Sequence, residues 1–521
     1  MKPNDKSRTQ AWILGEAANC FECWHVILVI NNWIVAKALQ ARVLMFCMNA
    51  KRGNTISRWM IRFFLNGEYI DPQRVLPPEA LKKIQQDAKR VFLKLRRPKD
   101  ILKITYQGLE IGQQIYDDVL KYRHKTIDRI FPEVQSSIAK AFLIRSAAQE
   151  SVKKYNIVAG VITHTTCAFE GVLIRSLLTE GKPVYQFFGG LGAIFKLDGW
   201  RSKKRVDVPP HTRPPQKILQ PRFAQFSFLL KKARQYFTER FQGKGGDIDS
   251  AGAFADGKKC IEKDFLMHLP AALKALPKVF VFVHCMPDDP HVTCGRKYQD
   301  YYDWFQATLE AARSCPHALW VFKDHPSKKI YKFLPDLEKE IRQTGRENIL
   351  YLDSEKYSNR GLEKLMDCVL THSGTAALEF SALGVPSYAA DTSAFSGLGL
   401  VREFRTREQY LNFIRFFHRR KILPPPFPDR AKVAFYLCAQ LINQKLSQGI
   451  FYPKGNLVIK TATKKWMLCE LGGFLRQPGK LVEACRKITG MSRLIRKHCS
   501  SGQTELILEL QDQYRVYGVS I

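Results

Sequence analysis

The sequence predicts an α/β protein with two parallel-sheet domains and a helical C-terminal extension. Short β-branched apolar runs alternate with longer amphipathic stretches along the chain, which favours parallel sheets. The alternation breaks in the proline- and glycine-rich segment from Asp198 to Gly257 and then restarts. We therefore predict an N-terminal domain over residues 1–257, a second domain over 258–423 and a basic helical extension over 424–521.

Composition limits the classes of protein to consider. A chain of 521 residues with 45% hydrophobic content can bury two ordinary cores, which excludes a single small binding module. Its 82 Lys and Arg against 48 Asp and Glu give a formal charge of +34, which attracts polyanions such as nucleic acid, anionic lipid, phosphate-bearing donors and acidic glycans. No nucleic-acid-binding signature accompanies the basic residues, so we predict no specific nucleic-acid partner.

Cysteine spacing and the N-terminal residues indicate a cytoplasmic protein. The chain begins with polar residues and lacks a secretory leader. Its 13 Cys follow no disulfide framework, and Cys20 and Cys23 have no partner at zinc-ligand spacing. The adjacent Asp288 and Asp289 fit a turn better than a metal site. We therefore predict reduced thiols, no metal and no cofactor.

The first domain has one clear strand–loop–helix–strand unit. Strand Asn156–Thr163 precedes the loop His164–Ala168, the helix Phe169–Leu178 and the strand Pro183–Phe188, which runs into the glycine turn Gly189–Gly192. Ligands of open parallel sheets bind outside the carboxyl ends of the strands, so we expect the loop and the turn to face a crevice.

Three residues of this domain are candidates for a catalytic base: His164, Glu170 and Glu16. For each the alternative is structural. His164 can be a polar residue that packs the loop, Glu170 a favourable charge at a helix N-terminus, and Glu16 a surface carboxylate.

The second domain repeats the strand and helix pattern. Its predicted strands are Lys278–His284, Ala318–Lys323, Asn348–Leu352 and Cys368–Thr371. Its predicted helices are Tyr301–Ser314, Pro335–Thr344, Arg360–Met366 and Ala376–Leu383. Four strand ends should therefore meet at one edge of a sheet.

The segment Thr371–Pro386 is the most informative part of the chain. A buried strand runs into Ser373, Gly374 and Thr375 and then into a helix with small residues early. Backbone N–H groups and the helix dipole favour a phosphate at such a place, and glycine permits its close approach. The alternative is that Ser373 or Thr375 caps the helix, which stabilises it by about 1 kcal/mol.

A second strand end carries His325 and Pro326, with Lys323 two residues earlier. Proline stiffens this loop and an imidazole can donate a hydrogen bond to a phosphate oxygen. By its position, His284 at the end of another strand also faces the predicted crevice.

The combination of Lys323-Asp-His-Pro-Ser327 with His372-Ser-Gly-Thr-Ala-Ala-Leu-Glu-Phe380 resembles the GT-B superfamily. Within that superfamily it is similar to bacterial capsule and surface-polysaccharide biosynthesis proteins, including capsule Kdo-transferases and glycosyltransferases with His-Pro motifs. The resemblance extends from about Tyr106 to Glu408. It implies two Rossmann-like domains with a donor cleft between them.

The resemblance also implies roles for individual residues. His325 and Pro326 would contact the donor phosphate or ribose, Ser373 and Thr375 would hold the phosphate, and Glu379 would bind a donor hydroxyl. Gly374, Lys323 and His284 complete the predicted donor-binding set. The chain has Ser-Gly-Thr where sialyltransferases have adjacent Ser-Ser or Ser-Thr, and it lacks their acidic base motif. Sialyl transfer is therefore not favoured.

We expect a glycosyltransferase that moves a sugar from a CMP- or UDP-linked donor to a growing capsular or lipopolysaccharide glycan, in a pathway of polysaccharide synthesis and transport. The acceptor would be a glycan or a lipid-linked glycan. The alternatives are a sugar-nucleotide epimerase of the same fold, a non-catalytic assembly protein and, less favoured, a nucleic-acid-binding protein.

The basic extension suggests a membrane partner. Its helix-like stretches Lys432–Gln448 and Lys480–Lys497, with Trp466 and Phe474 nearby, are expected to dock on anionic lipid at the inner face of the cytoplasmic membrane.

Overall fold

The computed structural model describes residues 10–442, with gaps at 17–21, 49–61, 63–65, 122–123, 188–193, 202, 209–225, 243–252, 255–257, 260, 327, 329–334 and 394. The predicted turn Gly189–Gly192 and most of the predicted extension, including Lys480–Lys497, Trp466 and Phe474, lie outside the described residues. The chain divides into two compact units. Unit 1 comprises residues 1–118, 129–212 and 441–521, and unit 2 comprises 119–128 and 213–440.

The elements between Ala11 and Leu197 build the first sheet and its helices. The strands are β1 (Ala11–Glu16), β2 (Arg42–Phe46), β3 (Glu68–Ile70), β6 (Asn156–Ile162), β7 (Val184–Phe187) and β8 (Ile194–Leu197), with a small hairpin of β4 (Thr105–Tyr106) and β5 (Leu109–Glu110). The helices are α1 (Glu22–Leu39), α2 (Pro78–Lys94), α3 (Pro98–Ile101), α4 (Gly112–Leu120), α5 (Pro132–Lys154) and α6 (Val172–Thr179).

The first sheet has the order β3-β2-β1-β6-β7-β8. All its neighbouring strands pair in parallel except β7 and β8, which are antiparallel. Val184 pairs with Gly160 and Leu197 pairs with Val184. Strand β6 lies between β1 and β7. A central strand of a parallel sheet is buried on both faces, which explains the nearly continuous apolar run of β6.

The elements between Phe226 and Ile442 build the second sheet and its helices. The strands are β9 (Lys278–Phe282), β10 (Leu319–Lys323), β11 (Ile349–Leu352), β12 (Cys368–Thr371), β13 (Ser387–Ala389) and β14 (Arg402–Glu403). The helices are α7 (Phe226–Phe241), α8 (Ile261–Asp264), α9 (Ala271–Lys274), α10 (Tyr301–Arg313), α11 (Leu337–Arg342), α12 (Thr375–Ala382), α13 (Arg407–Arg415) and α14 (Pro428–Ile442).

The second sheet is entirely parallel, in the order β11-β10-β9-β12-β13-β14. Successive side chains along its strands belong to different cores: Val279 and Val281 lie in one cluster and Phe280 in another. Helices therefore cover both faces, and each buried aliphatic or aromatic side chain contributes roughly 1.5–3 kcal/mol of apolar burial. With the strands of each sheet numbered separately, both sheets read 3-2-1-4-5-6, the doubly wound Rossmann order.

The predicted α/β fold with two Rossmann-like parts is confirmed, and the predicted strands agree with the structure to within two residues at each end. The predicted helix Arg360–Met366 is wrong: only a short 3-10 turn, Leu362–Lys364, forms there. Gly361 begins this turn with φ of 76°, a left-handed conformation that interrupts a regular helix. The helix predicted to start at Phe169 is also different, because a π-turn over Cys167–Gly171 precedes α6.

Among the described residues, no helix combines the length and the apolar character that are needed to cross a membrane.

Candidate functional site

Each sheet has one position where neighbouring strands are followed by connections in opposite directions. In the 3-2-1-4-5-6 order this switch point lies between the first and fourth strands, and a crevice for ligands opens outside their carboxyl ends. It falls between β9 and β12 in unit 2 and between β1 and β6 in unit 1. The residues that follow these four strands are therefore the first place to look for chemistry.

The loops after β9 and β12 are joined by short polar contacts. The Ser373 N–H donates to His284 Nε2 at 3.4 Å, and the Gly374 N–H donates to Thr371 Oγ1 at 3.3 Å. Thr371 Oγ1 also lies 3.2 Å from His284 Nε2. Because Nε2 accepts from a backbone N–H, the ring proton of neutral His284 is on Nδ1. Tyr301 stacks on this ring at 4.2 Å, which holds it at the switch point.

The N-terminus of α12 carries no side-chain cap. Gly374 is the N-cap residue and no side chain accepts from the first turn, whereas Asp300, Asp336 and Thr406 cap α10, α11 and α13. The alternative that Ser373 or Thr375 caps this helix is therefore wrong. Gly374 and Thr375 are half-buried, so the positive end of α12 is accessible to an anion.

Gly374 is required by the space around it. A Cβ atom at this position would lie 2.8 Å from Thr371 Oγ1 and 3.1 Å from His284 Nε2. Only glycine fits this turn unless one of those side chains moves.

His372 and Asp391, which were not among the predicted site residues, form a chain of contacts that ends at the Ser373 hydroxyl. His372 Nδ1 lies 3.1 Å from Ser373 Oγ, and His372 Nε2 lies 3.7 Å from Asp391 Oδ2. Burial lowers the pKa of His372 to about 4, so its imidazole is neutral near pH 7 although the Asp391 carboxylate opposes this shift. Tyr298 and Trp304 are among the rings that enclose it.

His372 is adjacent to Ser373 in the recognised motif and could have been noticed there. Asp391 follows β13, and only the pairing of β13 with β12 brings it to His372. No sequence signal indicated that contact.

The end of β10 carries the predicted residues Lys323, His325 and Pro326. Lys323 is 2% exposed, and its Nζ donates to the carbonyl oxygen of Tyr357 at 3.3 Å. Burial lowers its pKa to about 7. His325 and Pro326 are half-buried, at a strand end that is separated from β12 by β9 alone. Neighbouring strands are about 4.8 Å apart, so the two loops start roughly 10 Å from each other.

Glu379 is one turn into α12 and forms a buried ion pair. Its Oε1 accepts from Arg240 Nε at 2.6 Å, and both side chains are less than 10% exposed. This partner gives Glu379 a structural role, and its binding of a donor hydroxyl stays a prediction.

At the switch point of unit 1, the structure brings the three candidate bases together. Glu16, the last residue of β1, accepts from the backbone N–H of Thr163 at 2.8 Å and that of His164 at 3.4 Å. Its side chain is buried, and its pKa is raised well above the usual value by burial and by the nearby Glu170 carboxylate. Its Oε2 has no hydrogen-bond partner among the described residues.

Glu170 and His164 are half-buried, and the Glu170 carboxylate is close enough to raise the pKa of Glu16. Glu170 lies in the π-turn that begins at Cys167, which has φ of 63°. π-turns and left-handed non-glycine residues are both concentrated at functional sites. A buried acid with a raised pKa beside a more accessible carboxylate is an arrangement suited to proton transfer.

No cluster of three or more His, Cys, Asp or Glu with metal-binding geometry occurs in the described ranges. Asp289 has φ of 44°, and its carboxylate pairs with Lys121 at 2.5 Å. The Asp288 N–H donates to the carbonyl oxygen of Cys285 at 3.1 Å, and the Val292 N–H donates to that of Asp289 at 3.0 Å, so both aspartates lie in turns, as expected.

No family model matches the chain, and no curated protein matches it in sequence. Several solved structures are similar to it at low TM-scores. One is KpsC from Thermosulfurimonas dismutans, a β-Kdo 2,4 transferase, with 14% identity over 54% of this chain and 79% of that chain and a TM-score of 0.32. Another is HepE from Anabaena in complex with UDP-glucose, with 11% identity over 84% of this chain and 98% of that chain and a TM-score of 0.25.

A third is the UDP-GlcNAc 2-epimerase from Neisseria meningitidis bound to UDP-GlcNAc, with 11% identity over 84% of this chain and 100% of that chain and a TM-score of 0.24. Scores this low carry no information on substrate. By its strand order the chain is an α/β protein with two Rossmann-like sheets.

Proposed function

We propose that this protein is a glycosyltransferase that takes a sugar from a UDP- or CMP-linked donor and adds it to a capsular or lipopolysaccharide glycan, free or lipid-linked. The observation that carries the proposal is the uncapped N-terminus of α12 at the switch point of unit 2. Ser373, Gly374 and His284 surround this N-terminus at short distances.

The donor phosphate would bind at this turn. Sugar transfer leaves negative charge on the departing nucleotide, and N–H donors that are already in position stabilise that charge without reorganisation. The first-turn N–H groups of α12, the Ser373 hydroxyl and the imidazole of His325 would supply the donors. His372, which Asp391 faces, would hold the Ser373 hydroxyl in place.

Unit 1 would supply the base. As the acceptor hydroxyl attacks the anomeric carbon, its proton would pass to Glu170 while the bond from that carbon to the nucleotide phosphate breaks. Glu170 is half-buried and therefore more accessible than the fully buried Glu16, whose pKa is raised well above its usual value. Glu16 would anchor the His164 loop through its contacts with the backbone N–H groups.

The test is a thermal-shift and turnover screen of the full chain with CMP-, UDP-, GDP- and CDP-linked sugars. A ligand at 100 times its Kd stabilises the native state by about 2.7 kcal/mol. We expect one nucleotide class to stabilise the wild type and Ser373→Ala and His325→Ala to abolish the effect. Exposed residues of the same unit provide matched controls, Ser314→Ala and His268→Ala, which should respond as the wild type does.

The same screen separates the alternatives. Isomerisation of the donor sugar without an acceptor would indicate an epimerase in place of a transferase. Binding of the donor without any turnover would indicate a non-catalytic assembly protein. No response to any nucleotide would refute the proposed phosphate site.

A further inference from the structure

An apolar and basic surface lies on the connection between α13 and α14, which contains none of the residues of the proposed site. Five large hydrophobic residues are exposed in the described part of the chain: Leu93, Met267, Phe416, Leu423 and Phe427. Three of these five fall between positions 416 and 427, with exposed fractions of 41%, 44% and 47%. Such a concentration needs an explanation, since single exposed apolar residues are ordinary but clusters indicate contact surfaces.

Cations surround these side chains. The same stretch has four exposed cationic residues, Arg419, Arg420, Lys421 and Arg430. Asp429 is the one acidic residue between positions 416 and 430. The guanidinium of Arg419 lies 5.5 Å from the centre of the Phe416 ring, and that of Arg430 lies 5.1 Å from the Phe427 ring. Aromatic rings and cations therefore share one exposed segment. We call residues 416–430 the basic aromatic surface.

The backbone of this surface is held in place. Arg402 donates to the carbonyl oxygens of Leu423 and Pro424, both at 3.1 Å. Phe417 is buried in the core beside α13, and Ile422 packs against the same core. The exposed apolar side chains are therefore presented by an anchored segment.

We propose that the basic aromatic surface docks on an anionic lipid membrane. Headgroup phosphates fit the cations, and the rings and the Leu423 side chain can enter the boundary between headgroups and acyl chains, as in other interfacial segments. Nucleic acid would use the cations but would gain little from an exposed leucine. This inference is independent of the proposed function, because it uses none of the residues at either switch point.

The experiment is co-sedimentation of the full chain with phosphatidylcholine vesicles, with and without phosphatidylglycerol, over a range of salt concentrations. We expect binding that requires phosphatidylglycerol and weakens with salt. Phe416→Ser/Leu423→Ser/Phe427→Ser should weaken it strongly. Arg419→Gln/Arg420→Gln/Lys421→Gln should weaken it on the order of 100-fold, since each surface cation is worth roughly fivefold in membrane affinity.

Two control variants separate this surface from the overall charge of the chain. Lys82→Gln/Lys83→Gln/Lys89→Gln removes three exposed cations from α2, and Met267→Ser removes a side chain that is 62% exposed in unit 2. Both should bind vesicles as the wild type does. Equal loss in the α2 variant would overturn the proposal in favour of diffuse attraction by the +34 charge.

Depth of insertion gives a second readout. Phe416→Trp should show blue-shifted indole fluorescence with anionic vesicles and no shift with duplex DNA. Binding that DNA competes away, with the apolar triple variant unaffected, would overturn the proposal and assign the surface to nucleic acid.

Discussion

Glu379 has two possible roles, as the structural partner of Arg240 in a buried ion pair or as a ligand of a donor hydroxyl, and the stability of Arg240 and Glu379 variants distinguishes them. If the pair is structural, removing one partner leaves an uncompensated buried charge, which costs about 3–5 kcal/mol. Both side chains are less than 10% exposed and their closest atoms are 2.6 Å apart, so the pair is buried and this range applies. For a unit of roughly 150–250 residues, each 1 kcal/mol lowers Tm by about 2–4 °C.

We therefore expect Arg240→Met to lower Tm by about 6–20 °C, measured by thermal unfolding without ligand. Arg240→Met/Glu379→Leu should recover much of that loss, because no charge is then left unpaired. The exposed pair of Arg415 and Glu408 is the control: Glu408→Gln should change stability by less than about 1 kcal/mol.

The opposite result would refute this reasoning. If Glu379→Gln left Tm within about 2 °C of the wild type and removed stabilisation by the nucleotide-sugar, Glu379 would be a donor ligand, as the sequence resemblance implies.

Three further predictions follow from the two switch points. Gly374→Ala should weaken nucleotide-sugar binding, measured by calorimetry, because its Cβ would lie 2.8 Å from Thr371 Oγ1; unchanged affinity would show that the turn does not contact the donor. His372→Gln should lower affinity by roughly 10-fold, the equivalent of the charge-assisted hydrogen bond that the Ser373 hydroxyl would donate to the donor phosphate, and Asp391→Asn should lower affinity too; loss of folding without loss of affinity per folded molecule would contradict this role. Because the pKa of Glu16 is raised in the native state, that state binds the proton more tightly than the unfolded state does. Stability should therefore be greatest below the unfolded pKa of about 4.3 and decline as pH rises toward the native pKa. Glu16→Gln should abolish this decline in urea unfolding, and a decline that persists in the variant would assign it to another group.

Much of the fold could be predicted from the sequence because it depends on local patterns. The runs Asn156–Ile162 and Lys278–Phe282 are apolar on both faces, which only a central parallel strand requires. The run from Cys368 to Ala382 combines a strand, a Ser-Gly-Thr turn and a helix in one segment, so the phosphate-binding hypothesis could be reached without the tertiary structure. Where local signals were weak, as around Gly361, the predicted helix was wrong.

The tertiary structure alone decided which of these residues meet. Strand order places Glu16 against the His164 loop and Asp391 against His372, although each pair is far apart in sequence. It also buries Lys323 and pairs Glu379 with Arg240. Hydrophobic periodicity reports which side of an element is buried, and it does so within a few residues. Periodicity does not indicate which strands are neighbours, because strand order is set by the packing of whole elements around each core.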